Sequence, residues 1–271
     1  MSSTPPPSSD SSQATAPDWE YQNASVQALE DLGAGKRAAG ETEAAIVFYQ
    51  AALDKALAKN LAVEVLADLR TSLAVLIDSA GREDDAVPMY EQAIKDHAGL
   101  QPADKMVMGQ LRNNLAMIYK KLGRFALSEQ HYLAAIEALE SVLGKDSEDV
   151  ASLYNNLGGL YYAAGFPDQA KDVFLEALDM RLQILGTNHP DVAQTQCNLG
   201  SVYYELHDNA AAQESFEKAL RILEAHIKDE AASYEAVGLD YIAMLGAIEE
   251  EAKAATFKKR MENVLARLRG E

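Results

Sequence analysis

A single cysteine, Cys197, in 271 residues excludes an internal disulfide framework and fits a reducing compartment. Apolar side chains are plentiful at 48%, yet no run approaches the roughly 18 apolar residues of a membrane-spanning helix. Residues 1–17 hold neither a basic stretch nor an apolar core, so no secretory signal is read and a cytoplasmic location is expected. Positive charge is scarce: 24 Lys and Arg against 42 Asp and Glu leave a formal charge of −18. A field of that sign repels nucleic acid, whose binding rests on cations that neutralise phosphates, so no nucleic-acid partner is expected.

Catalytic signatures are missing too. His97, His131, His189, His207 and His226 are scattered, and none pairs with another or with Cys197 at metal-ligand spacing. The phosphate-loop, dinucleotide and nucleophile-elbow patterns do not occur. The runs Glu83-Asp84-Asp85 and Glu249-Glu250-Glu251 fall where helices are expected to start. There they complement the helix dipole, and they lack the spaced oxygen ligands of a calcium loop. No catalytic residue, metal site or cofactor is expected.

What the chain does have is a repeat. Taking as anchor the Leu of an Asn-Leu-Gly-like triplet, anchors fall at Leu32, Leu73, Leu115, Leu157 and Leu199, spaced 41, 42, 42 and 42 residues. A small residue follows each: Gly33, Ala74, Ala116, Gly158 and Gly200. Eight residues past the anchors stand Gly40, Gly81, Gly123 and Gly165, then His207. Thirteen past are Ala45, Ala86, Ser128, Ala170 and Ala212; seventeen past are Tyr49, Tyr90, Tyr132, Phe174 and Phe216; twenty past are Ala52, Ala93, Ala135, Ala177 and Ala219. Small residues let two helices approach, and the aromatic fills the space between one hairpin and the next. Glycine ends the first helix in a left-handed conformation; where His207 replaces it, Asp208-Asn209 is expected to supply the turn. Pro190, after a polar cap at Asn188 or His189, marks a helix start.

The expected organisation is a disordered Ser/Pro-rich tail over 1–17 and then one solenoid over 18–271, starting near an N-cap at Asp18. Its repeats lie near 24–60, 61–99, 100–143, 144–185 and 186–228, with a degenerate capping hairpin over 229–271. In that last hairpin Ala232–Leu245 is expected as the first helix, turning near Gly246, and Ala247–Leu268 as the second. Ala254, Phe257, Met261, Val264, Leu265 and Leu268 make its apolar stripe.

These features resemble a tetratricopeptide repeat array. The 42-residue period, the connector running from Gly186 through His189-Pro190-Asp191 to Ala193, and the starts Asn113-Asn114-Leu115, Asn155-Asn156-Leu157 and Cys197-Asn198-Leu199 are similar to the kinesin light chain class. The similarity is dense over Leu100–Leu223. Repeats one and two carry Glu30-Asp31 and Thr71-Ser72 in place of the Asn pair, and the heptad coiled coil that joins light chain to heavy chain is not seen. Attachment to a motor is therefore not inferred. The fold expected is all-α: a right-handed superhelix of five clear helix-turn-helix repeats plus a degenerate sixth.

The resemblance implies a binding groove on the concave face, lined by the first helix of each repeat. It maps to Asn113, Asn114, Lys120 and Lys121 in repeat three, to Asn155, Asn156 and Tyr162 in repeat four, and to Gln194, Asn198, Ser201 and Tyr204 in repeat five. In the light chains the recurring Asn bonds the backbone of an extended peptide, a role suited to an amide that both donates and accepts; the other reading is that some of these amides bond the neighbouring helix and shape the solenoid. Asp18, Trp19 and Glu20 resemble the tryptophan–acidic motifs such grooves bind, which makes them a candidate autoinhibitory motif; the other reading is that Trp19 and Tyr21 cover the apolar end of repeat one. The last helix carries Lys253, Lys258, Lys259, Arg260, Arg267 and Arg269 against Glu262 and Glu271. A basic amphipathic helix of this kind suits an acidic protein or an anionic membrane surface, or else simply caps the array.

The function expected is a non-enzymatic adaptor for a protein partner. Light-chain-like proteins in bacteria are known alongside bacterial tubulins, so the resemblance makes the most concrete form a cytoskeletal accessory protein that binds bacterial tubulin filaments. A sensor module for a short peptide and a self-assembling scaffold are the alternatives.

Overall fold

The computed structural model describes residues 24–270. The expected tail over 1–17 and the motif at Asp18, Trp19 and Glu20 lie outside them. Among the described residues there are twelve helices and no strand. They are α1 (Val26–Ala38), α2 (Thr42–Ala58), α3 (Val63–Ser79), α4 (Glu83–Gly99), α5 (Lys105–Lys121) and α6 (Phe125–Leu143). Then follow α7 (Glu148–Ala163), α8 (Pro167–Leu185), α9 (Pro190–Glu205), α10 (Asn209–Ala225), α11 (Ile227–Ala247) and α12 (Glu251–Arg269). Odd-numbered helices are the first of each hairpin and even-numbered ones the second. The chain divides into two compact units, with the boundary between Asp96 and His97 inside α4.

In the second unit α5 packs on α6, α7 on α8, α9 on α10 and α11 on α12, and successive hairpins meet through α6–α7, α8–α9 and α10–α11. The small–aromatic–small columns make these contacts. Tyr132, Phe174 and Phe216 are buried, as are Ala135, Ala177 and Ala219. Gly158 shows why the small residue is required: a Cβ there would stand 2.7–2.9 Å from three ring atoms of Phe174. Its neighbour Gly159 meets only Lys120 Nζ, at 3.7 Å. We expect Gly158→Ala to cost about 1–2 kcal/mol from overpacking, and Gly159→Ala to gain up to about 1 kcal/mol from helix propensity. Alanine stands at the Gly158 column in repeats two and three, beside Tyr90 and Tyr132, so the cost is that of moving Phe174. Urea unfolding of both variants checks the contrast, and equal midpoints would contradict it.

The hairpin turns share one closure. Gly40, Gly81, Gly123 and Gly165 have φ between +69° and +80°, and His207 and Glu249 stand in the same column at +62° and +63°. At Gly165 the next amide, Phe166 N, donates back to Tyr161 O at 2.9 Å; at His207, Asp208 N donates to Tyr203 O at 2.9 Å. His207 therefore takes the left-handed conformation itself, where Asp208-Asn209 was expected to make the turn. The Asp208 carboxylate instead caps α10, accepting from Ala211 N. Likewise the last turn is made at Glu249, three residues past Gly246, whose carbonyl accepts from Glu249 N at 3.2 Å. The sixth hairpin runs Ile227–Ala247 and Glu251–Arg269, longer at its start than expected, with a kink at Glu230. Of its apolar stripe, Ala254, Met261 and Leu265 are buried, Phe257 and Val264 pack against the same core, and Leu268 is exposed.

In the first unit α1 packs on α2 and α2 on α3. Its anchor Leu32 is 44% exposed, whereas Leu73, Leu115, Leu157 and Leu199 are buried. Arg70 of α3 and Asp96 of α4 form an ion pair with side-chain exposures of 14% and 9%. Gln92 Nε2 donates to the other Asp96 oxygen at 2.9 Å.

Candidate protein-binding site

In the second unit α5, α7, α9 and α11 lie side by side and bring asparagines of successive repeats into contact. Hydrogen bonds link the asparagines from repeat to repeat. Asn156 Nδ2 donates to Asn113 Oδ1 at 3.1 Å, and Asn198 Nδ2 donates to Asn155 Oδ1 at 3.1 Å. Asn113 Nδ2 in turn faces Asn114 Oδ1 at 3.4 Å. Each link uses one end of an amide. The amide oxygens of Asn156 and Asn198 have no hydrogen bond among the described residues, and both side chains are half-buried. Asn155 is only 6% exposed, so its role is the link. These links fit the reading in which the amides bond the neighbouring helix, and they leave the Asn156 and Asn198 oxygens unengaged among the described residues.

The remaining residues divide by charge. Lys120 is half-buried and lies across Gly159 of the next repeat. Burial, and then the neighbouring Lys121, hold its ammonium below the usual lysine range. Lys121 is exposed. Tyr162 is 40% exposed; burial, then the carboxylates of Glu205 and Asp240, push its hydroxyl pKa up. Tyr162 thus stands within electrostatic reach of both α9 and α11. Tyr204 is half-buried, and Ser201 Oγ donates to Cys197 O within its own helix at 3.3 Å. Gln194, Cys197 and Asn198 line a cleft of about 280 Å³ against Ser233 and Ala236 of α11. Burial, then Asp240, push the Cys197 thiol up to about 12, which leaves it protonated at neutral pH.

Two residues of this region escaped the reading of the sequence. Arg181, on α8, is 2% exposed. Its Nη1 donates to Asp191 O (2.7 Å), Thr195 Oγ1 (2.8 Å) and Gln194 Oε1 (3.1 Å) on α9, and Nη2 reaches Ser152 Oγ on α7 at 3.4 Å. It thereby fixes Gln194. Asp240 is the second. It stands 42 residues after Asn198, in the column Asn114, Asn156, Asn198. One more period of the repeat, carried into the degenerate hairpin, would have found it.

The basic helix α12 is partly committed within the chain. Lys253 Nζ pairs with Glu217 Oε1 at 2.7 Å and donates to Gln213 Oε1 at 2.6 Å. Although burial alone would lower it, its pKa is raised by Glu217 and Tyr241. Arg260 pairs with Glu224 at 2.6 Å. These pairs line a cleft of about 720 Å³ between α10 and α12. Lys258, Lys259, Arg267 and Arg269 are exposed, with no ion pair among the described residues. Among those residues no group of three or more His, Cys, Asp or Glu is placed to hold a metal ion, and no helix is long and apolar enough to cross a membrane.

The tetratricopeptide repeat family model matches residues 107–183 and 149–225. The structure aligns with that of BtubC (BKLC) from P. vanneervenii at 34% sequence identity and a TM-score of 0.65, covering 74% of this chain and 80% of that one. The chain belongs to the tetratricopeptide repeat family. Within that family it is kinesin-light-chain-like. A P. anserina protein described as a kinesin light chain with nearly identical TPR-like repeats aligns at 17% identity and a TM-score of 0.64, covering 75% of this chain and 97% of that one. A Rap protein complexed with competence and sporulation factor aligns at 15% identity and a TM-score of 0.55, covering 90% and 76%. These last two speak for the shared fold alone. No curated protein matches the sequence. The tetratricopeptide fold is one of protein–protein interaction, and such proteins are in general scaffolds and adaptors.

Proposed function

We propose that this tetratricopeptide protein is a non-enzymatic adaptor that seats an extended segment of a partner on the α5–α7–α9–α11 face, and that the partner is a bacterial tubulin filament. The carrying observation is the asparagine ladder. Because Asn156 and Asn198 spend their Nδ2 groups on the preceding repeat, their oxygens are held in one orientation, ready to accept main-chain N–H groups. Preorganised acceptors bind without first losing rotamer freedom. The similarity to BtubC supports the cytoskeletal form of the reading. The exposed cations of α12 supply a second contact for an acidic filament surface.

Co-sedimentation of the full chain with assembled bacterial tubulin tests the partner. Pelleting is expected at low salt, weakening as ionic strength rises; a chain that stays in the supernatant at low salt would sink the tubulin reading. The variant with Asn114, Asn156 and Asn198 all changed to Ala is expected to bind about tenfold or more weakly, as loss of about 1.4 kcal/mol would require. Its helical circular dichroism should be preserved. Unchanged binding would remove the amide face from the mechanism.

A further inference from the structure

The charges on this face are sorted along it. At the α5 end stands Lys120, with Lys121 beside it; at the other end stand Glu205 on α9 and Asp240 on α11. Lys120 has no carboxylate partner among the described residues. Nor do Glu205 and Asp240 have a cation partner among the described residues. Between the two ends lie neutral groups: the amide oxygens of Asn156 and Asn198, and the rings of Tyr162 and Tyr204.

We propose that the face reads a two-ended ligand: an extended peptide segment with a carboxylate side chain at the end lying on Lys120 and a basic side chain at the end lying on Glu205 and Asp240. This rests on the reading that the face seats a protein segment. It adds the chemistry and the direction of that segment. Three helix-to-helix steps of about 8–10 Å span about 24–30 Å, which about seven to nine extended residues bridge. Half-buried Lys120 gains most from an incoming carboxylate, because its charge is partly desolvated and has no partner to displace. The lowered pKa of its ammonium agrees with that. At the far end, two like charges near Tyr162 are relieved by one cation. A uniformly acidic segment would meet repulsion at Asp240, and a uniformly basic one repulsion at Lys120. The ligand's order follows from the amide ladder. Main-chain N–H groups must face fixed acceptors, so one of the two N-to-C directions fits better.

The test is fluorescence anisotropy at physiological salt with the full chain and four labelled peptides of about nine residues. All share one neutral Leu/Tyr/Ser body. Their ends are Asp-Asp then Lys-Lys, Lys-Lys then Asp-Asp, Asp-Asp at both, and Lys-Lys at both. One two-ended peptide is expected to bind about tenfold or more tightly than either uniform one. Lys120→Gln should abolish its advantage over the Lys-Lys peptide. The swap Lys120→Asp with Asp240→Lys should transfer preference to the other two-ended order. Equal or tighter binding of the all-acidic peptide, lost in Asn156→Ala, overturns the two-ended reading and leaves the adaptor reading standing. Tightest binding of the all-basic peptide, indifferent to Asn156, overturns it as attraction to the net negative charge. If no peptide binds, the proposal falls, and the co-sedimentation result decides the adaptor reading separately.

Discussion

Arg181→Ala is expected to destabilise the second unit by about 3–5 kcal/mol, with the loss centred on the α8–α9 contact. The guanidinium is almost wholly buried and holds four groups on two neighbouring helices. Hydrogen bonds from charged donors contribute about 1.5–3 kcal/mol each, and orphaned buried acceptors add a desolvation cost. Truncation also leaves a cavity. Against this, burial itself disfavours the charge: it pulls the Arg181 pKa down, opposed by Asp191 and then Glu148, and the Nε group has no hydrogen-bond partner among the described residues. An apolar replacement of similar length should therefore be milder. Arg181→Met is expected to cost about 1–2 kcal/mol, because buried ions replaced by packed apolar groups are often nearly neutral. Thr195 keeps a partner in that variant, since its hydroxyl donates to Asp191 O at 3.1 Å. Urea unfolding and amide exchange along α9 measure both. In a repeat array stability is a sum over repeats and interfaces, so exchange should rise first at Asp191–Asn198. An alanine variant that melts with the wild type would remove the buried fork from the account.

Arg70→Ala is expected to cost the first unit about 3–5 kcal/mol. Its partner Asp96 is 9% exposed and would be left with only the Gln92 amide. A buried carboxylate stripped of its cation is among the costliest single changes. The double variant Arg70→Leu with Asp96→Leu should recover most of that loss, because it removes both desolvation penalties together. A double-mutant cycle by chemical denaturation gives the coupling. If the double variant is as unstable as Arg70→Ala alone, lost packing rather than an uncompensated charge is responsible.

The sequence made the hairpins legible because their requirements recur. A small residue under a ring, as at Gly158 and Phe174, leaves a mark at every period. So does a left-handed turn, even where the residue is His207: the column locates the turn although histidine is not a usual choice for it. Less regular features were hidden for physical reasons. Arg181 reads as a surface residue on a second helix, because nothing in its neighbours along the chain announces that Thr195 and Gln194 will fold over it. Lys253 and Arg260 read as free cations until Glu217 and Glu224 are brought beside them. The asparagines were recognised as a set, but only their geometry separates the buried Asn155 from the half-exposed Asn156. Asp240 was missed because the degenerate hairpin keeps the period at its turn while losing the aromatic column that made the earlier copies visible.

The uniform turn closure bears on how such a chain can be lengthened or shortened. The links between copies are less uniform, but Gly144 and Gly186 both stand at φ +80°, so the copy they bound can be duplicated or excised without rebuilding its connectors. Arg181 limits that freedom. The residues one period away, Leu139 and Leu223, are as deeply buried but apolar, so the three copies fit their successors through different chemistry. Removing the copy that carries Arg181 would set Leu139 against Thr195 and strand a buried hydroxyl beside an aliphatic side chain. The copies are alike in shape but not in sequence of use: their order along the chain is itself specified, interface by interface.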